Sequence, residues 1–234
     1  MRGPPAAATV GGMTASPMLI ERLLPAFDAV RTEHLVVPGD VEGAYAAVGR
    51  ADFMRAWRDS PAVRALFGTR SLVERVMSAA RGHAFDEPPT PASMRLSGMP
   101  ERGEWVVLGE DPPHEIAFGA IGRFWGGETA WDQIDAEAFT TFDKPGYARI
   151  ACNFSVHAYG AEHSLVSYEC RTHATDDTAR RAFLRYWRPL SPFIGVVLRA
   201  QLGVVAAEAT GALADAAVIP VGERGTRVPP GMRA

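Results

Sequence analysis

The spacing of apolar residues changes twice along this 234-residue chain. A first strand at about Phe27–Val37 is followed, up to about residue 80, by apolar residues spaced three or four apart, which predicts short helices. From about residue 93 to 173, apolar and polar residues alternate, which predicts strands. After Asp177 the helical spacing returns and continues to about Glu208, so the pattern predicts one long final helix.

Several of these elements have recognisable boundaries. Asp40 is a good N-cap for a helix over 41–50, and Pro61 suits the first position of a second helix. Asp135 likewise caps a short helix before a turn at 143–146. The other predicted elements are a third helix at 71–77, a loop at 83–92, and strands at 93–97, 104–109, 114–124, 129–134, 147–157 and 164–173.

The clearest local feature is the hairpin formed by the last two predicted strands. Both strands alternate apolar and polar residues, and side chains two apart project from the same face of a sheet. A slip of one residue would turn the apolar row to the other face. With the turn centred near Ala161, the predicted register places Val156 opposite Val166, Phe154 opposite Tyr168, and Cys152 opposite Cys170.

The final helix carries one continuous apolar stripe. No charged residue lies between Arg188 and Arg199, which indicates burial, and Pro189 and Pro192 should bend the helix. The stripe consists of Phe183, Trp187, Leu190, Ile194, Val197, Leu198, Leu202 and Val205.

Together these elements predict an α+β fold. A curved antiparallel sheet of about six to seven strands would surround the long C-terminal helix, with two or three short helices near the N-terminus. Because strands curving around a helix leave a concave side to be filled, side chains or a ligand must occupy an internal cavity. We predict one domain at 17–209, between a disordered head at 1–16 and a loosely ordered tail at 210–234.

Composition narrows the classes of function. A net charge of −3 gives no general attraction for nucleic acid or for an anionic membrane. Residues 3–20 are uncharged but interrupted by proline and glycine, so we expect no membrane-spanning segment and no secretory signal. The 2 cysteines are too few for a disulfide framework. We expect a cytoplasmic protein with reduced thiols, as a monomer or a homodimer.

A family resemblance rests on several short matches. They are 118–125 (FGAIGRFW), Phe139 with Phe142, 145–148 (PGYA), 153–156 (NFSV), 169–171 (ECR) before Thr175-Asp176, and Ala179-Arg180-Arg181 with Phe183 leading to Tyr186-Trp187. With the order of elements, these residues resemble the START-like, or SRPBCC, superfamily of helix-grip proteins, and within it a group of uncharacterised bacterial members.

That resemblance implies a container for a hydrophobic molecule. Members of the superfamily bind lipids, sterols or polyketides, and some catalyse cyclisation or dehydration in the same cavity. Such sequences often carry threonine at the position of Cys170 and a small residue at that of Tyr168. Both departures would narrow the cavity of this chain.

Few residues carry recognisable chemistry. Arg123 could hold a carboxylate or phosphate at the pocket mouth, although pairing with an acid on the outer face is the favoured interpretation. Glu169 and Arg171 project to the side opposite the apolar row, which favours a surface ion pair over catalysis. Cys152 and Cys170 are interpreted as small buried side chains rather than metal ligands.

Motifs for metals and cofactors are missing from the sequence. The six histidines form no metal-binding spacing, and there is no GxSxG, P-loop or GxGxxG, so we predict no metal and no cofactor. His83 and His114 fall in predicted loops where a cavity entrance could lie, but are more easily explained as surface residues.

Three functional hypotheses follow. The first is binding of an apolar or amphipathic small molecule, with aromatic rings supplying contact area. The second is a cavity enzyme of the cyclase or dehydratase kind, and the third is a scaffold whose cavity is filled by its own side chains. The predicted ligand-contacting residues are Arg123, Trp131, Phe154, Tyr168, Cys170, Tyr186 and Trp187.

Overall fold

Helices flank a sheet that is built mainly from the second half of the chain. A computed structural model of the protein describes residues 16–65, 93–125 and 129–217. The helices are α1 (Leu19–Leu23), α2 (Val41–Arg50), α3 (Met54–Asp59), α4 (Ala136–Thr141) and α5 (Asp177–Ala217), with a 3-10 turn at Leu96–Gly98. The strands are β1 (Ala29–Pro38), β2 (Trp105–Asp111), β3 (Glu115–Arg123), β4 (Ala130–Trp131), β5 (Ala148–Ala158) and β6 (His163–Ala174).

All strand pairs are antiparallel. Within the described residues the sheet has six strands in the order β1-β6-β5-β3-β2, and the short β4 pairs with the end of β3. The first strand therefore lies beside the last one, and α5 packs across β1 and against α2 and α3. This arrangement confirms the predicted α+β class and is that of a helix-grip fold.

The hairpin register is as predicted. Val156 pairs with Val166, Phe154 with Tyr168, and Cys152 with Cys170. Since directly opposed residues project to the same face, this pairing fixes which face of the sheet is the inner one, the face turned toward α5. On β5 and β6, alternation of apolar and polar residues was therefore sufficient to define the inner row.

Helix α5 contains 41 residues and is longer than predicted. It is capped by Asp176, whose Oδ1 accepts hydrogen bonds from the backbone N–H of Thr178 (2.8 Å) and of Ala179 (2.9 Å). Leu198, Leu202 and Val205 are buried in one cluster with Phe154 and Tyr168. The second half of the helix stripe and the hairpin row therefore face one another, as the sequence pattern predicted. The burial predicted between Arg188 and Arg199 is wrong for Pro192 and Phe193, which are exposed.

Helix α5 also meets a simple test for a membrane span. By length and composition alone, its stretch Asp177–Gly211 could cross a membrane, although core helices of soluble proteins pass the same test. In this protein one side of the helix packs on the sheet and on α2. Cytoplasmic location and the lack of membrane association stay predictions.

A second core, not predicted from the sequence, lies on the outer face of the sheet. It joins Ile20 and Leu24 beside α1 to Ile121 and Phe139. Glu115 is 4% exposed, and its carboxylate accepts hydrogen bonds from the backbone N–H of Leu19 (2.6 Å) and of Ile20 (3.1 Å). A carboxylate from β3 thus caps α1, so that short helix depends on a contact distant in sequence.

Two predicted strands are corrected. Residues 93–97 are not a strand: Met94 donates its N–H to Asp52 Oδ1 (2.9 Å), and its carbonyl accepts from the N–H of Phe53 (2.8 Å). These backbone groups hold the α2–α3 connection and are not available to a sheet. The strand predicted at 129–134 is only the two-residue β4. The helix from Pro61 is described as far as residue 65, and the predictions at 71–77 and 83–92 lie outside the described residues.

Candidate functional site

One end of the interior is sealed by stacked aromatic rings. Phe154 and Tyr168 stack with ring centroids 4.2 Å apart, Phe53 lies 5.2 Å from Phe154, and Phe118 lies 6.0 Å from it. None of the four side chains is more than 6% exposed. We call these four residues the closed end. Their contacts fill the space under α2, α3 and the second half of α5.

Two titratable groups belong to this sealed region. Burial raises the pKa of Tyr168 well above its usual value, and the neighbouring thiols act in the same direction. Burial also raises the pKa of the Cys152 thiol, with a further contribution from its contact with Cys170. Both groups are therefore protonated near neutral pH, so they can donate a hydrogen bond but are poor bases and nucleophiles.

The aromatic surface continues toward β4 and the first turns of α5. Phe124 lies 5.7 Å from Trp131 and 6.0 Å from Tyr186, measured between ring centroids. Trp187 lies 5.7 Å from Phe183, which is fully buried. Phe124, Trp131, Tyr186 and Trp187 are only half-buried. We call these four half-buried residues the open end.

A glycine helps to position the open end. Gly122 pairs with Trp131, and a Cβ atom on Gly122 would lie 2.8 Å from Cζ3 of the Trp131 ring. Because such a distance is shorter than van der Waals contact, the ring rests on strand β3 only where no side chain intervenes. Trp105 joins the two ends, with its ring 6.0 Å from Phe118 and 5.9 Å from Trp131.

Charged side chains also lie on the inner face, a feature that the sequence analysis did not predict. Arg31 pairs with Cys170, and Glu33 pairs with Tyr168, so both project to the same face as the aromatic row. Glu33 Oε1 accepts from Arg31 Nε (2.8 Å) and from Arg31 Nη2, and Glu33 Oε2 accepts from Arg199 Nη1 (2.8 Å). These three residues form a charged cluster in the seam between β1 and α5.

A small cleft opens at the edge of the closed end. It has a volume of about 90 Å³ and is lined by Tyr45, Gly49, Ser97, Glu110 and Ile116. The Tyr45 hydroxyl donates to Glu110 Oε2 (3.2 Å), and burial together with that carboxylate raises the pKa of Tyr45 to about 12. Ligand pockets usually measure about 300–1,000 Å³, so this cleft is too small for a ligand of ordinary size.

The residues predicted to contact a ligand separate into three groups. Phe154 and Tyr168 belong to the closed end, and half-buried Cys170 lies beside them on β6. Trp131, Tyr186 and Trp187 form most of the open end. Arg123 stands apart, because it is exposed and alternates with Gly122 on β3, which places it on the outer side of the strand.

Other predicted chemistry lies away from the interior. Glu169 and Arg171 form an ion pair on the outer face, where the Arg171 guanidinium also lies 4.7 Å from the centre of the Phe27 ring. The predicted pairing is confirmed, but the Arg171 and Glu169 side chains are 12% and 23% exposed, so the pair is half-buried and not on the surface. Among the residues that the structure describes, no group of three or more His, Cys, Asp or Glu side chains could hold a metal ion.

No family model matches the chain, and no curated protein matches it. Among solved structures, protein Ms6760 from Mycobacterium smegmatis is 11% identical over 76% of this chain and 88% of its own, with a TM-score of 0.34. TTHA0849 from Thermus thermophilus is 10% identical over 79% and 99%, with a TM-score of 0.34. The di-domain ARO/CYC StfQ from the steffimycin biosynthetic pathway is 13% identical over 80% and 53%, with a TM-score of 0.31. Structural similarity at this level supports no conclusion about function. The function is therefore inferred from the residues of this chain.

Proposed function

We propose that the protein binds an apolar or amphipathic small molecule against its open end. The observation that carries this proposal is that a single aromatic surface on the inner face is fully buried at one end and half-buried at the other. A ligand that covered the half-buried rings would remove apolar area from water, at about 25 cal/mol per Å².

The form of the open end favours a flat or chain-like molecule. Phe124 and Trp131 are nearly parallel, with an angle of 20° between their ring planes. Rings arranged in this way stack with planar apolar groups and also accommodate methylene chains. We therefore propose a lipid-, sterol- or polyketide-like ligand and a protein that acts without nucleic acid.

Binding is favoured over catalysis by the state of the nearest titratable groups. A cyclase or dehydratase needs a group that takes up a proton at working pH. Tyr168 and Cys152 lie on the inner face, but burial raises the pKa of both, so neither accepts a proton near pH 7. Glu33 lies on the same face, but its two carboxylate oxygens already accept hydrogen bonds from Arg31 and Arg199. The third hypothesis, a self-filled scaffold, describes the closed end but not the half-buried rings of the open end.

Native mass spectrometry of the purified full chain, followed by solvent extraction, tests for a retained ligand. In parallel, Nile red, an uncharged apolar dye, is titrated into the protein and its fluorescence followed. We expect Trp131→Ala to weaken dye binding by about fivefold or more, since lost aromatic contacts amount to about 1 kcal/mol. Tyr159→Ala is the matched control, because Tyr159 is 58% exposed in the hairpin turn.

The two variants distinguish the hypotheses. Equal weakening by Trp131→Ala and Tyr159→Ala would contradict a site at the open end. Absence of both a retained molecule and dye binding would favour the scaffold hypothesis. Turnover of a bound polyketide-like compound, lost in Tyr168→Phe, would instead support the cyclase or dehydratase alternative.

A further inference from the structure

The charged cluster interrupts an otherwise apolar inner wall. Arg31 and Glu33 face the helix from β1, opposite Cys170 and Tyr168. Their side chains are 34% and 11% exposed, so neither is a freely solvated surface group. Charged side chains are rarely placed on an inner face unless they are paired, and here two arginines share one glutamate.

Helix α5 makes room for this cluster with a glycine. Gly195 is buried where the helix crosses β1. A Cβ atom at this position would lie 2.7 Å from Arg31 Nε and 2.7 Å from Glu33 Oε1. Glycine is a poor residue for a helix interior, so its presence is explained by the space that the guanidinium occupies.

The charged cluster contains two guanidinium groups and one carboxylate, so it carries one surplus positive charge. Glu33 uses Oε1 for Arg31 and Oε2 for Arg199, so a single carboxylate serves two guanidinium groups. Arg31 contacts Glu33 through Nε and Nη2, which turns its Nη1 edge away from that carboxylate. A guanidinium edge with unused donors fits a planar oxyanion.

Resting on the proposed function, we propose that Arg31 binds the carboxylate of an amphipathic acid whose apolar body lies on the open end. Gly195 lies eight residues after Trp187 on α5. A helix rises 1.5 Å per residue, so a span of about 12 Å separates the two positions. An acid with a chain or fused-ring body of about that length would reach from the guanidinium to the Trp187 ring.

The charge balance favours a carboxylate over a phosphate. Two guanidinium groups and one carboxylate leave a surplus of one positive charge, which a singly charged carboxylate neutralises. A phosphate monoester carries nearly two negative charges at neutral pH and would remain partly uncompensated beside Glu33.

The test compares two probes that differ only at the head group. These are 11-(dansylamino)undecanoic acid and its methyl ester, titrated into the full chain with dansyl fluorescence as the readout. We expect the wild type to bind the acid at least about tenfold more tightly than the ester. Arg31→Gln should abolish this preference and leave the affinity for the ester unchanged. Arg199→Gln is the comparison variant: it removes the surplus charge but leaves the Arg31 donors in place, so it should lower the preference only in part.

A substitution on α5, next to the Arg31 guanidinium, tests the same site. Gly195→Ala introduces a methyl group where the Arg31 guanidinium lies, yet alanine is the better helix former, so the fold should be retained. We expect it to reduce the preference for the acid without changing the affinity for the ester. Circular dichroism of each variant confirms that it is folded.

The outcomes separate this inference from the proposed function. Equal affinity of the wild type for acid and ester, with Nile red still bound, would overturn the role of Arg31 alone. Loss of the preference in Arg199→Gln but not in Arg31→Gln would also overturn it. Failure of the wild type to bind the acid, the ester and Nile red would overturn both proposals.

Discussion

The closed and open ends carry the same kind of side chain along one continuous interior surface, but they differ in what covers them. Over the closed end, α2, α3 and the second half of α5 supply Ala47, Ala56 and Leu202 to one buried cluster. Over the open end, the first turns of α5 supply Phe183 as the buried anchor, while Tyr186 and Trp187 are half-buried. Aromatic content alone therefore does not distinguish a core from a binding wall; the packing of the covering helices does.

The largest expected difference concerns stability. Phe154→Ala removes the central ring of the closed end and should lower the free energy of unfolding by about 3–5 kcal/mol, the range for fully buried phenylalanine. Trp187→Ala at the open end should cost about 1–2 kcal/mol, because that ring is already partly hydrated. Urea denaturation followed by circular dichroism measures both values. Equal losses would mean that the two ends are packed alike.

The glycines of β3 give the next largest effect. In Gly119→Ala the new methyl group would lie 2.5 Å from the backbone carbonyl oxygen of Ile150, which cannot move aside. We expect a loss of about 1–3 kcal/mol, as for other overpacked sites. In Gly122→Ala the methyl group contacts the ring of Trp131 at the open end. The free energy of Nile red binding should therefore change by more than the free energy of unfolding. Urea denaturation and dye titration of both variants test this contrast.

A smaller effect follows from the pKa of Cys152 at the closed end. Burial raises the folded-state pKa of this thiol above its ordinary value of 9.0. Above that pH the unfolded chain loses the proton while the folded chain keeps it, so stability is fully present below pH 9.0 and declines as pH rises. The slope from one thiol is at most about 1.4 kcal/mol per pH unit. Urea denaturation between about pH 8 and pH 10 should show a steeper decline for the wild type than for Cys152→Ser. An equal decline of stability with pH in the wild type and in Cys152→Ser would contradict the raised pKa of Cys152.

The smallest effect is expected outside the interior. Arg123→Ala should change the free energy of unfolding by about 0.5 kcal/mol or less, because the side chain is exposed at the end of β3. It should leave Nile red binding within about twofold of the wild type, a change of about 0.4 kcal/mol. Urea denaturation and dye titration measure the two quantities. A large loss of binding would show that the ligand extends beyond the open end to this arginine.

Strand pairing was predicted most reliably from the sequence where the local apolar pattern and the tertiary contacts agree. Apolar and polar residues alternate cleanly on β5 and β6, so the pairing of Phe154 with Tyr168 followed from spacing alone. Strand β1 has no such alternation, since Thr32 and His34 on one face are as polar as Arg31 and Glu33 on the other. Only the pairing with β6 shows that the two charged residues face inward.

Helix α1 illustrates a different obstacle. It has five residues, of which only Ile20 is buried, so its apolar spacing is too short to stand out. Its cap is the carboxylate of Glu115, about a hundred positions further along the chain, and no local window contains that contact. The half-buried state of the open end likewise depends on how far the covering helices extend, which side-chain types do not specify.

The two prolines inside α5 have a consequence for how a molecule reaches the interior. Pro189 and Pro192 have no N–H, so the carbonyl groups of Arg185 and Arg188 lose their partners one turn later in the helix. These weakened turns follow buried Phe183 and precede buried Leu198, next to the rings of the open end. Thermal opening of the helix should begin in this segment, which would let a ligand enter while the closed end stays packed.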